Sequence, residues 1–228
     1  CSRDWNSDVC SSDLRPFKAS FVPAKVWTDL DRYRNDPKGL SNYFRKWRTK
    51  IEWGKLKKPS EYIWVGGEYS PDDRQCTIKI YTTKFKTHKF TQKSWDRFKF
   101  KLIQTEMHEL IHFMQYDRRD DQDSGYVLPF RKVSHAKKNE ERKYLSEFDE
   151  IQAYAHCVLL EFKCFKPTVS TEDLISRAKY RRDSRCLHYI LRTFNFDYKR
   201  NEAIPKLMTH ILKWERKYDK VKRASKRS

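Results

Sequence analysis

The stretch QTEMHELIHFMQY, residues 104–116, places two histidines four positions apart with a glutamate directly after the first. Apolar residues recur at Ile103, Met107, Leu110 and Met114, the spacing of one helical stripe, and that stripe is expected to face a core. Gln104, His108, His112 and Gln115 fall on the adjoining stripe. Residues four apart on a helix lie one turn apart on the same side, so the His108 and His112 imidazoles reach a common point. Glu109 projects roughly 100° round the helix from His108. That direction is awkward for a ligand on the same turn, but it suits contact with a water held between the imidazoles. Tetrahedral zinc chemistry asks for such a pair, together with a third protein ligand and one open position.

Three residues qualify as the third ligand. Glu150 lies in DEIQAYA, in the first turns of a later predicted helix, and Ala153 beside it is small enough to allow a close helix approach. Glu147 lies one turn earlier on nearly the same face, where an acid is also favoured by the helix dipole. His135 lies in a polar connection. A hydrolytic site also needs a donor for the oxyanion. Tyr154 and His156, close to Glu150 in sequence, are candidates, and both residue types serve equally well as packing groups.

H-E-x-x-H is the zincin metallopeptidase signature. The extended metzincin pattern would put Gly at 115 and His at 118, where this chain has Gln115 and Arg118. HELIHFMQY followed by YLSEFDEIQAYA resembles the gluzincin-type zinc peptidases, in particular small metallopeptidases of tailed phages and bacteria. The resemblance runs over residues 60–163. It implies Zn2+ held by His108, His112 and Glu150, Glu109 as general base, and a peptide or protein substrate. A third-histidine ligand, as in SprT-type DNA–protein crosslink peptidases, would bring in His135. Its surroundings, SHAKKN, lack the Gly and Phe of that family.

The chain is strongly basic, with a net charge of +19. Residues 1–14 require separate treatment, because RDWNSDVCSSDL (3–14) resembles the translated read-through of a sequencing adapter and is excluded from the fold reading. That leader holds one Arg and three Asp, so the remainder carries +21. The first methionine is Met107, and the native start is expected upstream. Charge of this size favours acidic partners, nucleic acid first. Lys and Arg interleave with aromatics in YFRKWRTKIEWGKLKK and KFKTHKFTQKSWDRFKFK. The competing class is therefore a basic, non-enzymatic nucleic-acid-binding or virion-associated protein, whose affinity would fall steeply with salt. Nothing resembles a membrane span. Outside the leader, the four cysteines Cys76, Cys157, Cys164 and Cys186 are widely spaced. A reducing compartment, the cytoplasm of a bacterium or of a phage-infected host cell, is the expected location.

Gly and Pro number only 5 and 8, so each break is informative. Residues 16–22 read as strand or loop, and 23–34 and 39–53 as amphipathic helices. KLKKPS breaks the pattern, 61–69 and 76–83 form a hairpin, and a helix capped by Ser94 runs over 95–116. Residues 117–143 show no clear period. Ser146 and Asp149 match a capping box for a helix that Pro167 stops, and three further helices follow. The strand 76–83 is a candidate to pair with an extended substrate. The expected fold is α+β and zincin-like, helix-dominated with a small antiparallel sheet. The expected organisation is a leader at 1–14, a peptidase domain at 15–166, a helical extension at 167–220 packed on it, and a disordered basic tail at 221–228. No oligomeric state follows from the sequence.

Overall fold

The computed structural model describes residues 23–54, 63–87, 90–119, 124–166 and 168–225. The leader, the 16–22 segment, the KLKKPS break and Pro167 lie outside these residues. The fold is α+β and helix-dominated with a three-stranded sheet. Internal contacts divide the chain into two units, Cys1–Glu106 and Met107–Ser228, with the division inside a helix rather than at residue 166.

In the first unit, helix α1 (Pro23–Leu30) and a 3-10 turn precede helix α2 (Pro37–Phe44). The Asn35-Asp36-Pro37 break initiates α2: the Asp36 carboxylate accepts the Gly39 N–H at 2.8 Å, and Pro37 occupies the first turn. The helix expected over 39–53 ends early. Arg48 adopts a left-handed conformation (φ 58°), and strand β1 (Thr49–Gly54) follows. The helical reading failed because Trp47 and Ile51 are four apart, while Thr49, Ile51 and Trp53 also alternate as a strand. Pairing with a neighbouring strand decided the outcome.

Strands β2 (Trp64–Ser70) and β3 (Gln75–Tyr81) form the expected hairpin, in register from Trp64↔Tyr81 to Ser70↔Gln75. β1 pairs with β3 in parallel, so the sheet is mixed rather than antiparallel, with order β1-β3-β2. β3 is therefore the central strand. Both of its edges are engaged, and the pairing with a substrate backbone suggested by its sequence is not open to it. Cys76, Ile78 and Ile80 alternate into the core. After the short helix α3 (Lys84–Thr87), helix α4 (Gln92–Asp117) begins three residues before the expected start. The Thr91 hydroxyl, not Ser94, accepts the capping N–H, which comes from Ser94 at 3.2 Å. Phe85, Phe90, Trp95 and Phe98 pack edge-on and tilted against one another. Lys99, 1% exposed, is neutralised by Asp31 at 2.6 Å and Asp96 at 3.2 Å.

The second unit holds the last turns of α4 and five further helices. These are α5 (Ala136–Tyr144), α6 (Phe148–Phe165), α7 (Thr171–Ser176), α8 (Arg185–Thr193) and α9 (Ala203–Ser225). α5 lies within the connection that showed no period. α6 is the centre of the core: Ile151, Ala155, Val158, Leu159 and Phe162 pack with Leu187, Ile190, Leu191, Ile204 and Leu207. Each such buried aliphatic side chain contributes on the order of 1.5–3 kcal/mol. α9 runs to Ser225, through most of the segment expected to be disordered; residues 226–228 lie outside the description. The Ser146–Asp149 capping box does not form. Glu147 is the N-cap, without a side-chain cap bond, and Asp149 is engaged elsewhere. The entry to α6 is instead tied to 126–128, with Phe148 N–H donating to the Tyr126 carbonyl and Leu128 N–H to that of Ser146. Among the described residues, Cys76, Cys157, Cys164 and Cys186 form no disulfide, and no helix is long and apolar enough to cross a membrane.

One buried contact in the first unit connects β1 to α4. The Thr49 hydroxyl, on a residue 1% exposed, donates to Glu106 Oε1 at 2.7 Å. Thr49→Val is expected to lower stability by about 1–3 kcal/mol, because it removes a partner from a buried carboxylate. The check is a lower urea midpoint at unchanged slope.

Candidate metal centre

Within the second unit, His108, His112 and Glu150 converge. They form a group of potential ligands whose donor atoms all lie within 4.8 Å of one another. The two Nε2 atoms are 3.1 Å apart, and Glu150 Oε2 and Oε1 lie 3.3 and 3.2 Å from His108 Nε2 and His112 Nε2. Ligand atoms bound at ~2.0–2.1 Å in a tetrahedron are separated by ~3.3 Å. With one donor atom taken from each residue the three lie within 4.8 Å of one another, close enough for a small divalent ion to draw them together. Glu150 is 8% exposed, and its two oxygens face the two imidazoles. The donor set, two imidazoles and a carboxylate, suits such an ion and leaves a fourth position for water.

Each ligand is held from behind. His112 Nδ1 lies 2.9 Å from Gln115 Oε1, and Gln115 Nε2 donates to the Asp149 carbonyl at 3.1 Å and to Gln152 Oε1 at 3.3 Å. A main-chain carbonyl only accepts, so the nitrogen of Gln115 must face Asp149 and its oxygen must face His112. His112 Nδ1 therefore carries a hydrogen, and Nε2 is the ring nitrogen that faces Glu150 and His108. Arg119 binds both carboxylate oxygens of Asp149, at 2.9 and 2.5 Å, which ties the chain just beyond α4 to the first turn of α6. His108 Nδ1 lies 3.7 Å from Cys157 Sγ, and its ring meets Tyr154 edge-on at 4.9 Å.

The charges follow from burial and proximity. Burial, the strongest influence, opposes ionisation of Glu150, yet hydrogen bonds from His108 and His112 hold its pKa down to about 2. Burial likewise opposes charge on His112. The bond and charge of Glu150, with the charge of Glu109, raise it to about 9. Glu109 is 4% exposed and acts on His112 through its charge, as a base beside the site would.

The structure thus brings together His108, His112 and Glu150, with Glu109 and Tyr154 beside them. It does not bring in the others. His135 is exposed at the N-cap of α5, and Glu147 sits at the N-cap of α6, outside the ligand group. His156 packs on Trp214 at 5.0 Å, and burial lowers its pKa to about 4, so this ring fills space on another face of α6. Along α4 the buried arc also differs from the expected stripe. Met107 and Met114 are only half-buried, while Glu109, Ile111, His112 and Gln115 are buried. Tyr144 was missed. Its hydroxyl interacts with Glu150 and Tyr154; burial, then the Glu150 charge, push its pKa far up, so it remains a proton donor. It stands at the head of YLSEFDEIQAYA, but its helix is not the one that carries Glu150, so no spacing along the sequence points it at that carboxylate.

Two outcomes follow from the ligand geometry. Ion binding must displace the proton on His112. Affinity for a divalent ion is therefore expected to rise about tenfold per pH unit below pH 9 and to level off above it, as chelator competition would measure. Gln115→Leu frees the His112 ring to rotate and flip tautomer, and should weaken binding roughly 10–100-fold. No protein-family model, curated protein or solved structure matches this chain.

Proposed function

We propose that this protein is a zinc-dependent peptidase with a zincin-like catalytic arrangement of the gluzincin type. The observation that carries the reading is the convergence of His108, His112 and Glu150 into one group of potential ligands, with Glu109 next in sequence to a ligand and itself buried. Two imidazoles and one carboxylate are a donor set found in hydrolytic zinc sites, and the fourth position is left for water.

When bound, zinc lowers the pKa of a water from 15.7 toward ~7 and polarises a peptide carbonyl. The chain's own groups supply the rest. Glu109 takes the proton from the attacking water and delivers it to the departing amine nitrogen. Gln115 and Cys157 hold the two imidazoles in their working orientation. The Tyr144 and Tyr154 hydroxyls, both kept protonated by burial, are the donors available to a developing oxyanion.

The test separates ion binding from turnover. Glu109→Gln is expected to keep the full ion content, measured by atomic emission, and to lose roughly 10²–10⁴-fold in cleavage of an unstructured protein substrate. Glu150→Ala should lose the ion, whereas Glu147→Ala should retain it. Full activity in Glu109→Gln would remove the assigned base, and full ion content in Glu150→Ala would remove the third ligand.

A further inference from the structure

A second feature of the same unit lies outside the ligand group. Residues 177–200 contain eight basic residues and two acidic ones. Both acids are already engaged. Asp183 is held by Arg177 at 2.7 Å and Lys166 at 3.9 Å, while Asp197 accepts the Arg200 N–H at 3.2 Å and pairs with Arg131 at 3.9 Å. Lys179, Arg181, Arg182, Arg185, Arg192, Lys199 and Arg200 are all exposed. The excess positive charge is therefore not cancelled within the segment.

The segment is built rather than loose. Ala178, 4% exposed, anchors the loop in the core, and the Tyr180 and Arg181 N–H groups both donate to the Arg177 carbonyl at 2.9 Å. Two aromatic rings are presented on it. Tyr180 is 81% exposed, the most exposed large hydrophobic side chain among the described residues, and Tyr198 is 36% exposed. Burial, then Tyr180, raise the pKa of Tyr198. Burial, then Arg182 and Arg192, lower that of His188 on α8.

The turn before Tyr198 is strained. Asn195 and Phe196 both adopt left-handed backbone (φ 54° and 55°), a conformation that a bulky residue such as Phe rarely takes. The strain is held by the Phe196 N–H donating to the Leu191 carbonyl at 2.7 Å and by the Phe196 ring packing on His188 at 5.7 Å. Backbone strain that the surroundings hold in place is a mark of a site whose geometry matters.

We propose that Lys179, Tyr180, Arg181, Arg182, Arg192 and Tyr198 form a binding surface for single-stranded nucleic acid, the tyrosines stacking on bases and the cations meeting phosphates. Every base has a π-face, so stacking is sequence-tolerant, and the surrounding cations track the backbone. In a duplex the base faces are already stacked on one another, and an exposed tyrosine has nothing to stack on. That selects the single strand over the duplex. This surface is independent of the peptidase reading.

The experiment is a fluorescence-anisotropy titration of the full chain with a labelled oligothymidine of about 16 nucleotides, over a range of salt concentrations. Tyr180→Ala is expected to weaken binding about tenfold at an unchanged salt slope, with Tyr180→Phe close to wild type. The double variant Arg181→Gln/Arg182→Gln should reduce the slope of log K against log salt by about 0.7 for each side chain removed. Wild-type affinity in Tyr180→Ala, equally tight binding of a duplex, or no binding at low salt would each overturn the proposal.

Discussion

The Gln115 carboxamide, reaching from His112 to the Asp149 carbonyl, is the contact on which the ligand group depends. It performs two tasks at once. It fixes the tautomer of one imidazole, and it holds the last turn of α4 against the first turn of α6. The Arg119–Asp149 pair repeats the second task one turn further on, with two parallel charge-assisted bonds. Glu150 follows Asp149 directly, so the clamp that holds one acid sets the position of the next. The antiparallel bridge between Val127 and Glu147 fixes the same helix entry from the other side. Three short ties thus convert two separate helical motifs into one set of donor atoms about 3.2 Å apart.

Buried charge alone does not mark a site, and the two units show the difference. In the first, Lys99 is 1% exposed and satisfied by Asp31 and Asp96, with the Trp27 ring beneath it. Two carboxylates and a ring face compensate that ammonium, as a structural ion pair requires. In the second, two ring nitrogens approach to 3.1 Å and both face the same carboxylate at 3.2–3.3 Å. Crowding three potential ligands at one point costs stability, and folds retain such arrangements where preorganisation serves binding.

The net charge of +19 has its own distribution. The ligand group is not part of it; His112 and Glu150 are buried and their charges oppose one another. The excess sits on loops and helix faces, notably around the connection into α8, where the two acids are committed to local pairs. A buried site and a basic surface can therefore evolve on one helical core without competing, since one depends on packing geometry and the other on exposed side chains.

Much was legible in the sequence because it is carried by local periodicity. The four-residue spacing of His108 and His112 fixes two donors on one helix face whatever the rest of the chain does, and alternation in the 64–81 region fixes a hairpin. Glu150 was reached through a resemblance between short motifs, and the backbone ties that deliver it to the histidines lie far apart in sequence. What tertiary structure alone decided has one physical reason: the partner is remote. Residues 49–54 became a strand because β3 was there to pair with, making the sheet mixed and occupying both of that strand's edges. Asp149 left its expected cap for Arg119, His156 turned to Trp214, and Tyr144 reached Glu150 from a different helix. A linear pattern specifies which face of its own helix or strand a side chain occupies; only packing specifies what it meets there.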